Sequence, residues 1–185
     1  MKFIHLCLVA LAAAACTKQP AVEIPLPHAY PRPALPDTAM VAAPDAPLHF
    51  LVNSQAVVSS PRPGWLDVAY PQLGATVHIT FSRTDASEIE TVKENRMERL
   101  ILNAGERPTD FAEFTNNAGF NVLLAQTDGA TTPIQFLATD NTAWVASGAV
   151  YFASPDATTA VDSLRPMLTA IRRDLARALQ ALQSK

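Results

Sequence analysis

From Leu48 onward, apolar and polar residues alternate in short runs divided by turn residues, the pattern of half-buried strands. Leu48 to Val52 is one run, and Trp65 to Tyr70 is another that follows a Pro63-Gly64 turn. The clearest covers Thr76 to Ser82. There Val77, Ile79 and Phe81 alternate with Thr76, His78 and Thr80, predicting one buried and one polar face. Ser87-Glu88-Ile89-Glu90 then reads as a capping box, and Ile89, Val92, Met97, Leu100, Ile101 and Ala104 recur at helical spacing before Gly105, predicting a helix over 87–104.

After Pro108 the strand pattern returns in Phe111 to Thr115, Phe120 to Gln126, Ile134 to Thr139 and Trp144 to Phe152. Asn116-Asn117, Asp128-Gly129 and Asp140-Asn141 separate them, and Asp-Gly favours a tight hairpin turn because it tolerates φ > 0, so an antiparallel meander is expected. Pro133 falls at the start of its strand, where a missing donor is tolerated. The last segment carries one apolar stripe, Leu164, Met167, Leu168, Ile171, Leu175, Ala178, Leu179 and Leu182, predicting an amphipathic helix with Ser163 as N-cap and Pro166 in its first turn. Arg165, Arg172, Arg173 and Arg177 lie off that stripe and read as a solvated face, with an anion-binding surface as the alternative. Strands, a helix, four strands and a helix give an α+β class: an antiparallel sheet with two helices packed on one face. This element order is similar to that of the Mog1/PsbP-like sandwich.

The N-terminal third has neither period. Met1-Lys2, the apolar run Phe3 to Val9 and the alanines of Ala10 to Ala15, with a single Leu11, form a secretory signal, too short to span ~30 Å of hydrocarbon as a helix. Cys16 directly after Ala13-Ala14-Ala15 resembles the bacterial lipobox, with Ala13 where Leu is usual. That resemblance implies cleavage between Ala15 and Cys16, a diacylglycerol on the sulfur and an acyl chain on the new amino terminus. Several chains hold a protein on a membrane where one is marginal. Cys7 leaves with the signal, so no disulfide is available and the core alone holds the fold. Thr17 rather than Asp after Cys16, and the non-acidic Lys18-Gln19-Pro20, suggest the periplasmic face of the outer membrane by resemblance to bacterial sorting rules.

Eleven of the 15 prolines fall between Pro20 and Pro71. Such a stretch is extended and semi-rigid, at ~3 Å per residue where polyproline II dominates. The expected organisation is a lipoprotein signal at 1–15, a lipid-anchored proline-rich tether at 16–46, and a single α+β domain at 47–185. Tyr30-Pro31-Arg32-Pro33 within the tether serves as spacer or as a docking segment.

Charge narrows the function. With 14 Lys+Arg against 17 Asp+Glu and a net charge of −3, the chain lacks the basic stripe that phosphate neutralisation needs, so no nucleic-acid partner is expected. At 49% hydrophobic it is no disordered acidic tail. Catalytic constellations are equally scarce. His28, His49 and His78 have no metal-ligand spacing, there is no Gly-x-Ser-x-Gly elbow, and six glycines form neither a P-loop nor a dinucleotide fingerprint. The carboxylates fall at caps, helix surfaces and turns, with Asp140 in Thr139-Asp140-Asn141 best read as turn chemistry. No reaction, no metal and no cofactor beyond the lipid on Cys16 are expected.

Gly64-Trp65-Leu66-Asp67-Val68-Ala69-Tyr70-Pro71 followed by Val77-His78-Ile79-Thr80-Phe81 resembles a strand pair of the gliding-motility lipoprotein GldD family of Bacteroidota. Gln135 to Thr142, Ser147 to Phe152 and Asp162 to Pro166 resemble that family's C-terminal block in the same order, and Tyr30 to Pro33 its proline-rich lead-in. Two departures stand out: Ser147 where the family has a basic residue, and Gly129 to Pro133 in place of its small-residue patch. The resemblance implies a non-catalytic envelope lipoprotein that supports gliding motility or type IX protein secretion by docking on an envelope complex. Trp65, His78, Gln135, Asp140 and Tyr151 make up the candidate partner surface. The competing expectation is a periplasmic module that holds a small or lipidic ligand between sheet and helix.

Overall fold

The computed structural model describes residues 37–153 and 161–185, except the side chains of 161–163. The signal segment, Cys16 and the tether through residue 36 lie outside the described residues. Along the chain come β1 (Met40–Ala42), β2 (Leu48–His49), β3 (Leu51–Asn53), β4 (Val57–Ser59), β5 (Trp65–Tyr70), a short 3-10 turn (Pro71–Leu73) and β6 (Ala75–Arg83). Then follow α1 (Ile89–Ala104), β7 (Thr109–Thr115), β8 (Asn121–Thr127), β9 (Ile134–Thr139), β10 (Trp144–Phe152), α2 (Val161–Gln180) and β11 (Gln183–Ser184).

Seven strands form the main sheet in the order β4-β5-β6-β10-β9-β8-β7, every neighbouring pair antiparallel. The chain climbs from β4 to β6, crosses along α1 to the far edge at β7, and returns by hairpins until β10 closes against β6. Two small ribbons, β1 with β3 and β2 with β11, lie apart from it. The α+β class and the antiparallel sheet agree with the sequence pattern.

The helices, however, do not share a face. Alternation along β9 sends Ile134, Phe136 and Ala138 into one apolar cluster with Leu168, Ile171, Leu175 and Leu179 of α2. It sends Leu137 to the other side, into a second cluster with Ile89 and Val145, against which Val92 and Met97 of α1 pack. All six residues of β9 are buried because a helix covers each of its faces. The expectation of one covered face is therefore corrected to helix, sheet, helix. Residues pointing toward α2 form the inner face and those toward α1 the outer.

The inner layer also recruits chain that the proline pattern assigned to the tether. Ala43 and Ala46 are buried, and Met40 packs against the same cluster as Phe50, whose ring meets Phe81 and Phe136 at 5.7 and 6.4 Å. Ordered structure thus reaches back before residue 47. Asn53 Nδ2 donates to the Asp37 carbonyl and Arg177 Nη1 to the Thr38 carbonyl at 2.6 Å, tying this lead-in to α2.

Three local expectations change. The helix predicted from 87 begins at Ile89, and Asp85 organises the approach: its Oδ1 accepts from Ser87 N–H at 3.1 Å and Ser87 Oγ at 2.6 Å, which lowers the carboxyl pKa. Helix α2 starts at Val161, so Ser163 lies within it and Pro166 falls in the second turn, where the ring removes one i→i−4 bond. The β8–β9 connection is longer than a two-residue turn. Ala130 N–H closes onto the Thr127 carbonyl, and Thr127 N–H reaches the Pro133 carbonyl at 2.9 Å.

A candidate docking face beside the outer helix

Helix α1 packs over β9 and β10 and leaves the outer face of β5, β6 and the end of β10 uncovered. Cross-strand register sets what is presented there. Trp65 stands opposite Thr80, Asp67 opposite His78, and Ala149 of β10 on the other side of His78. His78 Nδ1 lies 2.7 Å from Asp67 Oδ1, and the Tyr151 ring meets the imidazole edge-on with centroids 5.3 Å apart. His78 and Tyr151 are exposed, whereas Trp65 and Asp67 are half-buried.

The β4–β5 turn positions Trp65. Gly64 adopts φ +77°, and its carbonyl accepts from Phe81 N–H at 2.7 Å; a Cβ at this residue would sit 2.8 Å from the Phe81 carbonyl oxygen. Ser60 Oγ donates to the Trp65 carbonyl at 2.9 Å, and Trp65 N–H donates to the Arg62 carbonyl at 3.0 Å. The same turn brings the Arg62 guanidinium 3.7 Å above the indole ring.

Between Trp65 and the flank of α1 lies an open hollow of about 690 Å³, lined also by Val92, Asn95, Arg96, Glu98, Arg99 and Leu102. Arg96 is half-buried, and its single hydrogen bond runs to Ser82 Oγ at 3.4 Å. Burial, with the like charge of Arg99 beside it, lowers its guanidinium pKa. On the other flank of α1 a second groove of about 400 Å³ runs over β7 and β8, with Met97, Leu123 and Leu137 on its floor and Lys93 and Glu113 at its rim.

Of the five residues predicted for a partner surface, Trp65, His78 and Tyr151 share this uncovered face. Gln135 is on the same face of the sheet but only 5% exposed, because α1 covers it. Its Oε1 accepts from Asn103 Nδ2 at 2.9 Å, and its Nε2 donates to the Leu100 carbonyl at 3.2 Å, so it fastens helix to sheet. Asp140 holds the β9–β10 turn. Its Oδ1 accepts from the N–H groups of Thr142, Ala143 and Trp144 at 3.0, 2.9 and 2.9 Å, next to Asn141 at φ 55°. Burial works to raise the Asp140 pKa, but these donors outweigh it and the net shift is downward. His49, in the β2–β11 ribbon, is not brought to His78 on the main sheet. Arg96 and Arg99 carry a signal in the sequence that the alternation pattern does not weigh: they stand three apart with no carboxylate at i±3 or i±4.

The match that decides the family covers residues 20–184 of the 185-residue chain, against the profile of the gliding motility lipoprotein GldD. The chain belongs to the gliding motility lipoprotein GldD family. No match was found among the curated proteins. Family membership gives the chain a role in gliding motility and, as a lipoprotein, a place in the cell envelope associated with membrane. No helix among the described residues is long and apolar enough to cross a bilayer.

Proposed function

We propose that the protein is a non-catalytic accessory lipoprotein, anchored through acylated Cys16 at the periplasmic face of the outer membrane, that docks on an envelope complex serving gliding motility or type IX secretion. The family match carries this reading. The half-open outer face supports it, since aromatic and guanidinium groups gathered on one side are the composition of interaction surfaces. Neither the Asp67–His78 pair nor any other described group is assigned a reaction. The test is a null strain complemented with the wild-type chain or with Cys16→Ala, scored for colony spreading and for release of type IX cargo. Loss of both in the null, restored by the wild type but not by Cys16→Ala, is the expected result; normal spreading and release in the null would overturn the reading.

The groove over β7 and β8 supports a second reading, a small-ligand or lipid-binding module of the Mog1/PsbP-like kind. Its floor of Met97, Leu123 and Leu137 offers apolar cover at the low end of ligand-pocket volumes. Native mass spectrometry of the protein extracted from envelopes separates the two: a stoichiometric bound small molecule that Leu123→Glu removes would favour the module.

A further inference from the structure

The charges of α1 are sorted into rows. Glu90, Glu94 and Glu98 follow one another at i, i+4 and i+8, while Arg96 and Arg99 stand three apart on the flank that faces the hollow. Neither arginine has a carboxylate at i±3 or i±4; those positions hold Val92, Lys93, Arg99 and Leu100 around Arg96, and Asn95, Arg96, Leu102 and Asn103 around Arg99. Like charges placed so weaken a helix on its own. Among the described residues neither guanidinium forms an ion pair, and Arg99 makes no hydrogen bond. Across the hollow stands Trp65, its ring carrying the Arg62 guanidinium, so a chain of net charge −3 sets Arg96 and Arg99 against Glu98 alone in the lining of one concave surface.

We propose that the hollow between α1 and β5 is a docking groove for an acidic segment of a partner protein, its carboxylates taken by Arg96 and Arg99 and an apolar side chain covering Trp65 and Leu102. Guanidinium forks match carboxylates bidentately, and Trp and Arg are the commonest anchors of protein interfaces. Leu102 at the mouth is 70% exposed, a position that contact with a partner would bury. An anionic bilayer is a poor occupant, because it is flat on the scale of a hollow of about 690 Å³. The proposal rests on the docking reading and names the chemistry of the partner.

The experiment places p-benzoylphenylalanine at residue 102 of the full lipidated chain in living cells, with the same photocrosslinker at the exposed Val41 of β1 as the comparison. The expected product at 102 is a peptide rich in Asp and Glu, its yield cut at least tenfold by Arg99→Glu and restored when an acidic residue of the captured segment is changed to Lys. Arg96→Gln should lower the yield as well, but Arg99 is exposed and its variant does not threaten folding. A yield unchanged by Arg99→Glu, a captured segment without acidic residues, or capture of lipid or glycan alone would overturn the groove. Protein capture at Val41 but none at 102 overturns the groove and leaves the docking reading standing. No protein capture at either residue, together with normal gliding and secretion in the null strain, overturns both.

Discussion

Asp174 is a carboxylate on α2 that is 1% exposed, and its removal is predicted to be among the most damaging single changes in the fold. Oδ2 accepts from Asn53 Nδ2 at 2.9 Å, and Oδ1 accepts from Arg173 at 3.1 and 3.3 Å. The Tyr70 hydroxyl donates to the same carboxylate, and burial followed by this neighbouring charge pushes the Tyr70 pKa up. In Asp174→Ala the half-exposed Arg173 turns to water at little cost. Tyr70 O–H is stranded, and Asn53 Nδ2 keeps only its bond to the Asp37 carbonyl while Oδ1 still accepts from Gln55 N–H. At about 1 to 3 kcal/mol for each buried group left without a partner, the loss should be about 2 to 5 kcal/mol. With a urea m-value of about 1 to 3 kcal/mol/M, the midpoint followed by tryptophan fluorescence should fall by about 1 M or more. Adding Tyr70→Phe to Asp174→Ala removes the stranded hydroxyl and should recover about 1 kcal/mol or more, whereas Tyr70→Phe in the native background should destabilise. A loss under about 1 kcal/mol, or no recovery in the double variant, would refute this account of the network.

Tyr70 also fixes an alkaline limit. Its folded pKa lies above the ordinary 10.0, so the stability it contributes is full below pH 10 and is lost as pH rises further; a pH series of urea midpoints should show a decline that Tyr70→Phe removes. Gly148→Ala should lower stability by about 1 to 3 kcal/mol in a melting experiment, because a Cβ there collides with the Phe136 ring and lies 3.0 Å from the His78 carbonyl oxygen. Asp140→Ala should lower stability by about 1 to 2 kcal/mol at neutral pH. Since the folded pKa of Asp140 is lowered, its contribution is present above the ordinary 3.8 and fades as pH falls through the folded value, so the variant and wild-type melting temperatures should converge in acid.

Strands were legible wherever one face is buried and the other wet, as in β5 and β6, and the α2 stripe was legible because an amphipathic helix buries one side alone. Helix placement was not. The uniformly buried β9 holds Gln135 and Thr139 among its six residues, and those polar groups masked a strand covered on both sides. Helix α1 contributed to the ambiguity, for only Ile89, Leu100 and Ala104 are buried along it while Ile101 is 58% exposed, so its apolar spacing promised a wider contact than it makes. Gln135 read as a surface group since nothing local tells a side chain that bonds a helix backbone from one that meets solvent. Asp174 was overlooked among the arginines of α2 for the converse reason: its partners Asn53 and Tyr70 come from far earlier in the chain. Trp65, His78 and Tyr151 were brought together by strand register, once each strand was placed in order.

The bonds from Asn53 to Asp37 and from Arg177 to Thr38 determine where tension enters the folded body. A pull on residues upstream of Asp37 would be received by β3 and α2 together, in the inner layer, and would load the most apolar contacts of the molecule before reaching an edge strand of the main sheet. The arginine-lined hollow lies on the other face of the sheet, between α1 and Trp65, so the sheet stands between it and the point where that pull enters. On the proposed reading, tension and recognition fall on opposite sides of one slab.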